Sequence, residues 1–169
     1  MTDTFPSPTI PRSSRAEVFI SYLSYFRNGV ITRIEQLPES ELRSSRLATG
    51  WTPLELVKHL TYVELRWLEW GFEGAAVDDP WGDNRDERWS VDDAESRDVL
   101  LEALRARGEE SERIIRANDL EAIGQPGPRW NGKPEPTLER ILFHLLQEYA
   151  RHLGHLDIVV ELGGGPVGE

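Results

Sequence analysis

Apolar residues recur every three or four positions through most of this chain, and no stretch alternates as a half-buried strand would. Between Ser14 and Leu37 the apolar positions are Phe19, Leu23, Phe26, Val30, Ile34 and Leu37. That is the period of an amphipathic helix, and Pro38 marks its end. The segment "ESELRSSRLATG" predicts a connector with one helical turn. A second helix opens at Thr52, where Pro53 suits the first helical position and Glu55 lies three residues on, the capping-box pattern. Its stripe is Leu56, Leu60, Val63, Trp67 and Trp70. The stretch from Gly71 to Trp89 reads as a polar and aromatic loop. Ser90, with Asp93 three later, predicts a third helix to about Ala117, with a thin face of Leu101, Leu104 and Ile115 and with Gly108 inside it. After the loop "IGQPGPRWNGKPEP", Thr137 opens a last helix that reaches about Leu162, where "GGG" stops it.

Four long amphipathic helices most simply bury their stripes against one another, so the expected fold is all-α, a four-helix bundle. Residues 1–13, with three prolines, read as a mobile arm, 14–163 as a single domain and 164–169 as a loose tail. A chain of 169 residues is long enough for one such core.

Composition narrows the partners. Hydrophobic residues make up 38% and charged residues 29%, with a formal net charge of −11. That sign opposes nucleic acid and anionic membranes alike. No apolar run approaches a membrane span, and "MTDTFPSPTIPRSS" lacks the basic start and apolar run of a secretory signal, so the expected location is the cytoplasm. There is no cysteine, which leaves any thiol chemistry to a thiol from outside the chain. All basic residues but Lys58 and Lys133 are Arg, a bias compatible with a GC-rich bacterial genome.

The chemistry concentrates in "HLLQEYARHLGHLD", His144 to Asp157. At about 100° per residue, His144, Glu148, His152 and His155 share one narrow stripe beside Ile141, Leu145, Leu156 and Val159. His59, the only other histidine, shares a face with Leu56, Val63, Trp67 and Trp70. Inward-facing histidines and a carboxylate are costly unless they are paired or bound. Residues four apart lie ~6 Å apart along the axis and reach one ion, whereas His144 and His152 are ~12 Å apart and do not. The allowed pairs on the last helix are His144/Glu148, Glu148/His152 and His152/His155, each with His59 as a third ligand. A Glu55/His59 pair would raise a dinuclear alternative, but Glu55 is accounted for by capping. Neither Glu-x-x-His nor His-Glu-x-x-His occurs.

With "WTPLELVKHLTYVE" on the second helix and "HLLQEYARHLGHLD" on the last, the chain resembles the DinB/YfiT-like superfamily. Within it the likeness is to the actinobacterial branch that includes mycothiol-dependent maleylpyruvate isomerase, over about Ser14 to Gly163. That family takes one metal ligand from the second helix and two, four apart, from the last. The resemblance therefore implies His59, Glu148 and His152 as the ligands. Glu148 stands where many members have His, and His155 stands where they have Gln.

Two imidazoles and a carboxylate suit zinc, with iron or nickel as alternatives. The resemblance further implies a thiol S-transferase or isomerase in which the metal presents mycothiol sulfur to a small electrophile. The isomerase carries a further C-terminal domain, and this sequence ends just after the last helix, which points to an S-transferase rather than that isomerisation. His155 would relay a proton or support a ligand from behind, and Arg85, Arg88, Trp89, Arg129 and Trp130 are candidates to line a pocket. No general base stands out. A hydrolase using bound water and a non-enzymatic bundle with a structural metal are the alternatives. Loop aromatics are compatible with a homodimer, though no residue fixes oligomeric state.

Overall fold

The computed structural model describes residues 5–165. Four long helices carry the fold. Helix α1 (Arg15–Gln36) starts where the Ser14 hydroxyl accepts from the backbone N–H of Glu17. A single turn, α2 (Glu39–Leu42), follows Pro38 as expected. Helix α3 (Pro53–Glu64) opens with the full capping box: the Thr52 hydroxyl accepts from the Glu55 N–H, and the Glu55 carboxylate accepts from the Thr52 N–H at 2.7 Å. Helix α4 (Arg97–Ala117) and helix α5 (Leu138–Leu162) complete the set. Around the bundle α1 packs on α5, α5 on α3, α3 on α4 and α4 on α1.

The core is the set of predicted stripes with additions. Leu23, Val30 and Ile34 of α1 meet Leu56 and Leu60 of α3, Leu101, Leu104 and Ile115 of α4, and Ile141, Leu145 and Leu156 of α5, all buried. Each such side chain contributes about 1.5–3 kcal/mol relative to exposure. Among the described residues no helix is long and apolar enough to cross a membrane.

One polar cluster runs through this core and ties all four helices together. Arg27 of α1 donates twice to the Glu64 carboxylate of α3, at 3.1 Å each, while Ser111 of α4 and Tyr149 of α5 donate their hydroxyls to the same carboxylate. A buried charge is tolerable only when paired and fully hydrogen-bonded, and here it is. Gly108 is explained by the same cluster. A Cβ there would lie 2.5 Å from the Arg27 guanidinium carbon.

Three elements depart from the sequence expectation. The second helix does not end near Trp70 in regular α form but continues as a π-helix, Leu65–Phe72. The wider turn brings Leu68 and Phe72 into the core and leaves Trp67 and Trp70 half-buried. The stretch expected as a loop closes in a two-stranded hairpin, β1 (Asn84–Arg85) and β2 (Arg88–Trp89). Its two-residue turn holds Asp86 and Glu87 at φ 50° and 62°, the left-handed geometry that hairpin turns require. The third helix starts at Arg97 rather than at Ser90. The Ser90 N–H is committed to the Asp83 carbonyl at 2.9 Å, extending the hairpin, and the Ser96 hydroxyl accepts from the Val99 N–H and caps the helix instead.

Of the expected N-terminal arm, residues 1–4 lie outside the described residues, and Phe5 packs edge-on against Tyr22 and Tyr25 of α1. Of the expected tail, residues 166–169 also lie outside them.

Candidate metal centre

The capped start of α3 fixes the register that carries His59 to the α5 side of the bundle. There it meets Glu148 and His152, one α5 turn apart. Glu148 Oε2 lies 3.1 Å from His152 Nε2 and 3.9 Å from His59 Nε2, and one donor atom from each residue falls within 4.8 Å of the others. Two imidazoles and a carboxylate at this separation have the scale of a single-ion site.

His59 is oriented from behind. Its Nδ1 sits 3.1 Å from Asp83 Oδ2, and the Asp83 carboxylate is gripped by both terminal nitrogens of Arg66, at 2.6 and 3.1 Å. Burial raises the Asp83 carboxyl pKa, but its hydrogen bonds to His59 and Arg66 outweigh that and hold it below the usual range. An ionised carboxylate only accepts, so Nδ1 carries a proton towards Asp83, and Nε2 is the nitrogen that faces Glu148. A carboxylate behind a histidine in this way fixes the tautomer of metal-binding imidazoles.

Glu148 is the anionic centre of the cluster. Its carboxyl is held well below the ordinary glutamate value, first by the hydrogen bond with His152 and then by the nearby His59 ring, against partial burial. His152 is buried, and its Nδ1 has no hydrogen-bond partner among the described residues. A buried imidazole with one nitrogen unpartnered and the other facing a carboxylate fits a ligand position better than a packing position. On these grounds the three residues suit a divalent cation.

The other candidates are placed differently. His144 Nε2 lies 3.5 Å from Glu148 Oε1, and its ring packs on Trp67. Burial lowers its pKa, partly offset by Glu148. His155 lies partly exposed, its ring 5.7 Å from that of His152, and burial together with the neighbouring His152 and Arg151 lowers its pKa. Glu55 is held by the capping box and stays out of the cluster. Arg85 pairs with Asp92 at the surface and lines neither opening.

Two openings flank the cluster. On one side the hairpin stacks Trp89 on His59, with ring centroids 4.1 Å apart, and Trp89 with Trp51, Glu55 and Arg88 lines a groove of about 320 Å³. On the other, Trp67, Arg129, Trp130 and His144 line a cleft of about 430 Å³. Asp83 and Arg66 escaped the sequence reading. Arg66 sits between two predicted core positions, and Asp83 reaches His59 only through a hairpin whose turn lacks the usual glycine.

Fold and cluster together define a DinB-like four-helix bundle with a His-Glu-His centre. The backbone is similar to a DinB-like protein from Bacillus cereus ATCC 10987, with a TM-score of 0.63 and 16% identity over 90% of this chain and 95% of that one. It is equally similar to YfiT from Bacillus subtilis, described as a "probable metal-dependent hydrolase with an unusual four-helix bundle topology", with a TM-score of 0.62 and 17% identity over 98% of this chain and 100% of that one. No curated protein matches the sequence. Residues 18–165 match the mycothiol-S-transferase family, and the chain belongs to it.

Proposed function

We propose that this protein is a metal-dependent S-transferase that joins mycothiol to a small electrophile, with the cation held by His59, Glu148 and His152. The observation that carries the reading is the convergence of these side chains around Glu148, with His59 oriented by the Asp83–Arg66 pair. Membership of the mycothiol-S-transferase family supports the thiol, and the absence of cysteine from the sequence requires it to come from solution.

A divalent cation, zinc foremost, would supply Lewis acidity that makes a thiol more acidic at neutral pH. The chain's own residues do the rest. Asp83 keeps His59 Nε2 aimed into the site. Glu148 supplies negative charge that offsets the cation. Trp89 stacks over His59 and Trp67 packs against His144, so aromatic walls flank the centre where it meets the two openings. In the overall transfer a sulfur–carbon bond forms, the leaving group departs with its bonding electrons, and the thiol proton passes to solvent.

The test is conjugation of mycothiol to monochlorobimane by zinc-loaded protein, followed by fluorescence. The expected result is turnover that needs both thiol and metal and stops on chelation. Turnover of electrophilic or ester substrates without thiol would replace this reading with a hydrolase. Metal bound but no turnover of any kind would leave a structural ion.

A further inference from the structure

The cleft beside His144 carries a feature the proposed transfer does not use. Arg129 is half-buried, and its guanidinium lies 4.0 Å over the Trp67 ring while Nε donates to the Arg66 carbonyl at 3.2 Å. Among the described residues every other buried or half-buried Lys or Arg has a carboxylate partner: Arg27 has Glu64, Arg33 has Asp157, Lys58 has Glu95, Arg66 has Asp83, Arg97 has Asp98 and Arg107 has Glu69. Arg129 has none. Burial, with repulsion from Arg66, lowers its pKa.

Two more cations line the same cleft, Lys133 and Arg140, and neither has a carboxylate within ion-pair distance among the described residues. In a chain of net charge −11, where acids outnumber bases 30 to 19, three unpaired cations around one cleft form a local inversion of sign. Trp67 and Trp130 add flat apolar walls, and Trp130 is anchored by its indole N–H on the Gln125 carbonyl at 2.8 Å. At the far end His144 stands 3.5 Å from Glu148, so an occupant lies one side chain from the His-Glu-His cluster.

The geometry points to this cleft as a binding site for a small planar anion, a carboxylate on an aromatic or conjugated frame. The carboxylate meets Arg129, Lys133 and Arg140, and the flat frame lies along Trp67 and Trp130. Charge-assisted contacts of this kind are among the stronger hydrogen bonds available to a ligand, and the cation–π contact already holds Arg129 in place. Identifying the anion with the electrophile rests on the S-transferase reading. The binding itself does not.

The test uses two compounds of the same frame, 4-chloro-3-nitrobenzoate and the neutral 4-chloro-3-nitrobenzamide, in equilibrium dialysis at low ionic strength with zinc-loaded protein. No thiol is present, so neither compound reacts. The expected result is saturable binding in which the carboxylate exceeds the amide by about tenfold, the scale of one charge-assisted contact. Lys133→Gln/Arg140→Gln, at exposed positions, should weaken that preference at least threefold, with Arg129 left to hold the remainder. The charge-matched control Arg12→Gln/Arg105→Gln should retain it. Equal binding of the two compounds, no saturable binding of either, or a preference undiminished in the cleft variant overturns the inference, the last because the carboxylate would then sit away from Lys133 and Arg140. Intact binding with no thiol conjugation in the bimane assay would sink the S-transferase reading alone.

Discussion

His59 Nδ1 lies 3.1 Å from Asp83 Oδ2, and Asp83 is in turn clamped by Arg66 from the π-helical end of the same helix system. Asp83→Asn keeps the shape but lets the side-chain amide serve His59 and Arg66 less well. Zinc affinity should fall about 10–100-fold, the usual effect of removing a group that orients a ligand. Competition with a chromophoric chelator measures it, and unchanged affinity would mean that Asp83 serves only to pair Arg66.

Two helical glycines make opposite predictions. Gly154 faces open space on α5, so Gly154→Ala should stabilise the protein by about 1 kcal/mol through helix propensity. Gly108→Ala gains the same propensity but drives its Cβ into the Arg27 guanidinium, which the Glu64 carboxylate pins. Its net effect should be a loss of about 1–3 kcal/mol from overpacking. Urea midpoints of both variants decide the signs, and a Gly108→Ala protein as stable as the parent would mean that Arg27 moves freely.

Tyr149 predicts alkaline sensitivity. Burial raises its pKa well above the ordinary 10.0, and proximity to Glu64 adds to the rise. A group whose folded pKa is raised contributes stability in full below the unfolded value, and the contribution is lost as pH climbs towards the folded value. Unfolding free energy should therefore decline from about pH 10 upwards. Tyr149→Phe should flatten that decline while losing about 1–3 kcal/mol at neutral pH, because Glu64 forfeits a donor. Denaturation curves from pH 7 to 11 give both quantities, and an unchanged alkaline slope in the variant would place the sensitivity elsewhere.

What the sequence made legible was what depends on near neighbours. Thr52 and Glu55 form their capping box within one turn, and Glu148 and His152 share a face because both ride one regular helix. The π-helix was not legible, because a helical wheel assumes 3.6 residues per turn and so assigned Trp67 and Trp70 the burial that Leu68 and Phe72 have. Arg27, Glu64 and Ser111 were passed over because a polar residue at the edge of an apolar stripe looks solvated until its partners on other helices are known. Asp83 depends on a hairpin made by Asp86 and Glu87 at positive φ, residues with no strong turn signature.

The most direct measurement of the central claim is metal content by elemental mass spectrometry, on protein purified without chelator or affinity tag. The parent should carry about one divalent ion per chain, as a site of two imidazoles and one carboxylate holds. His59→Ala, Glu148→Ala and His152→Ala should each lose it while keeping helical circular dichroism, and His144→Ala should keep it. Stoichiometric metal in Glu148→Ala, loss in His144→Ala, or no metal in the parent even after reconstitution would contradict the account.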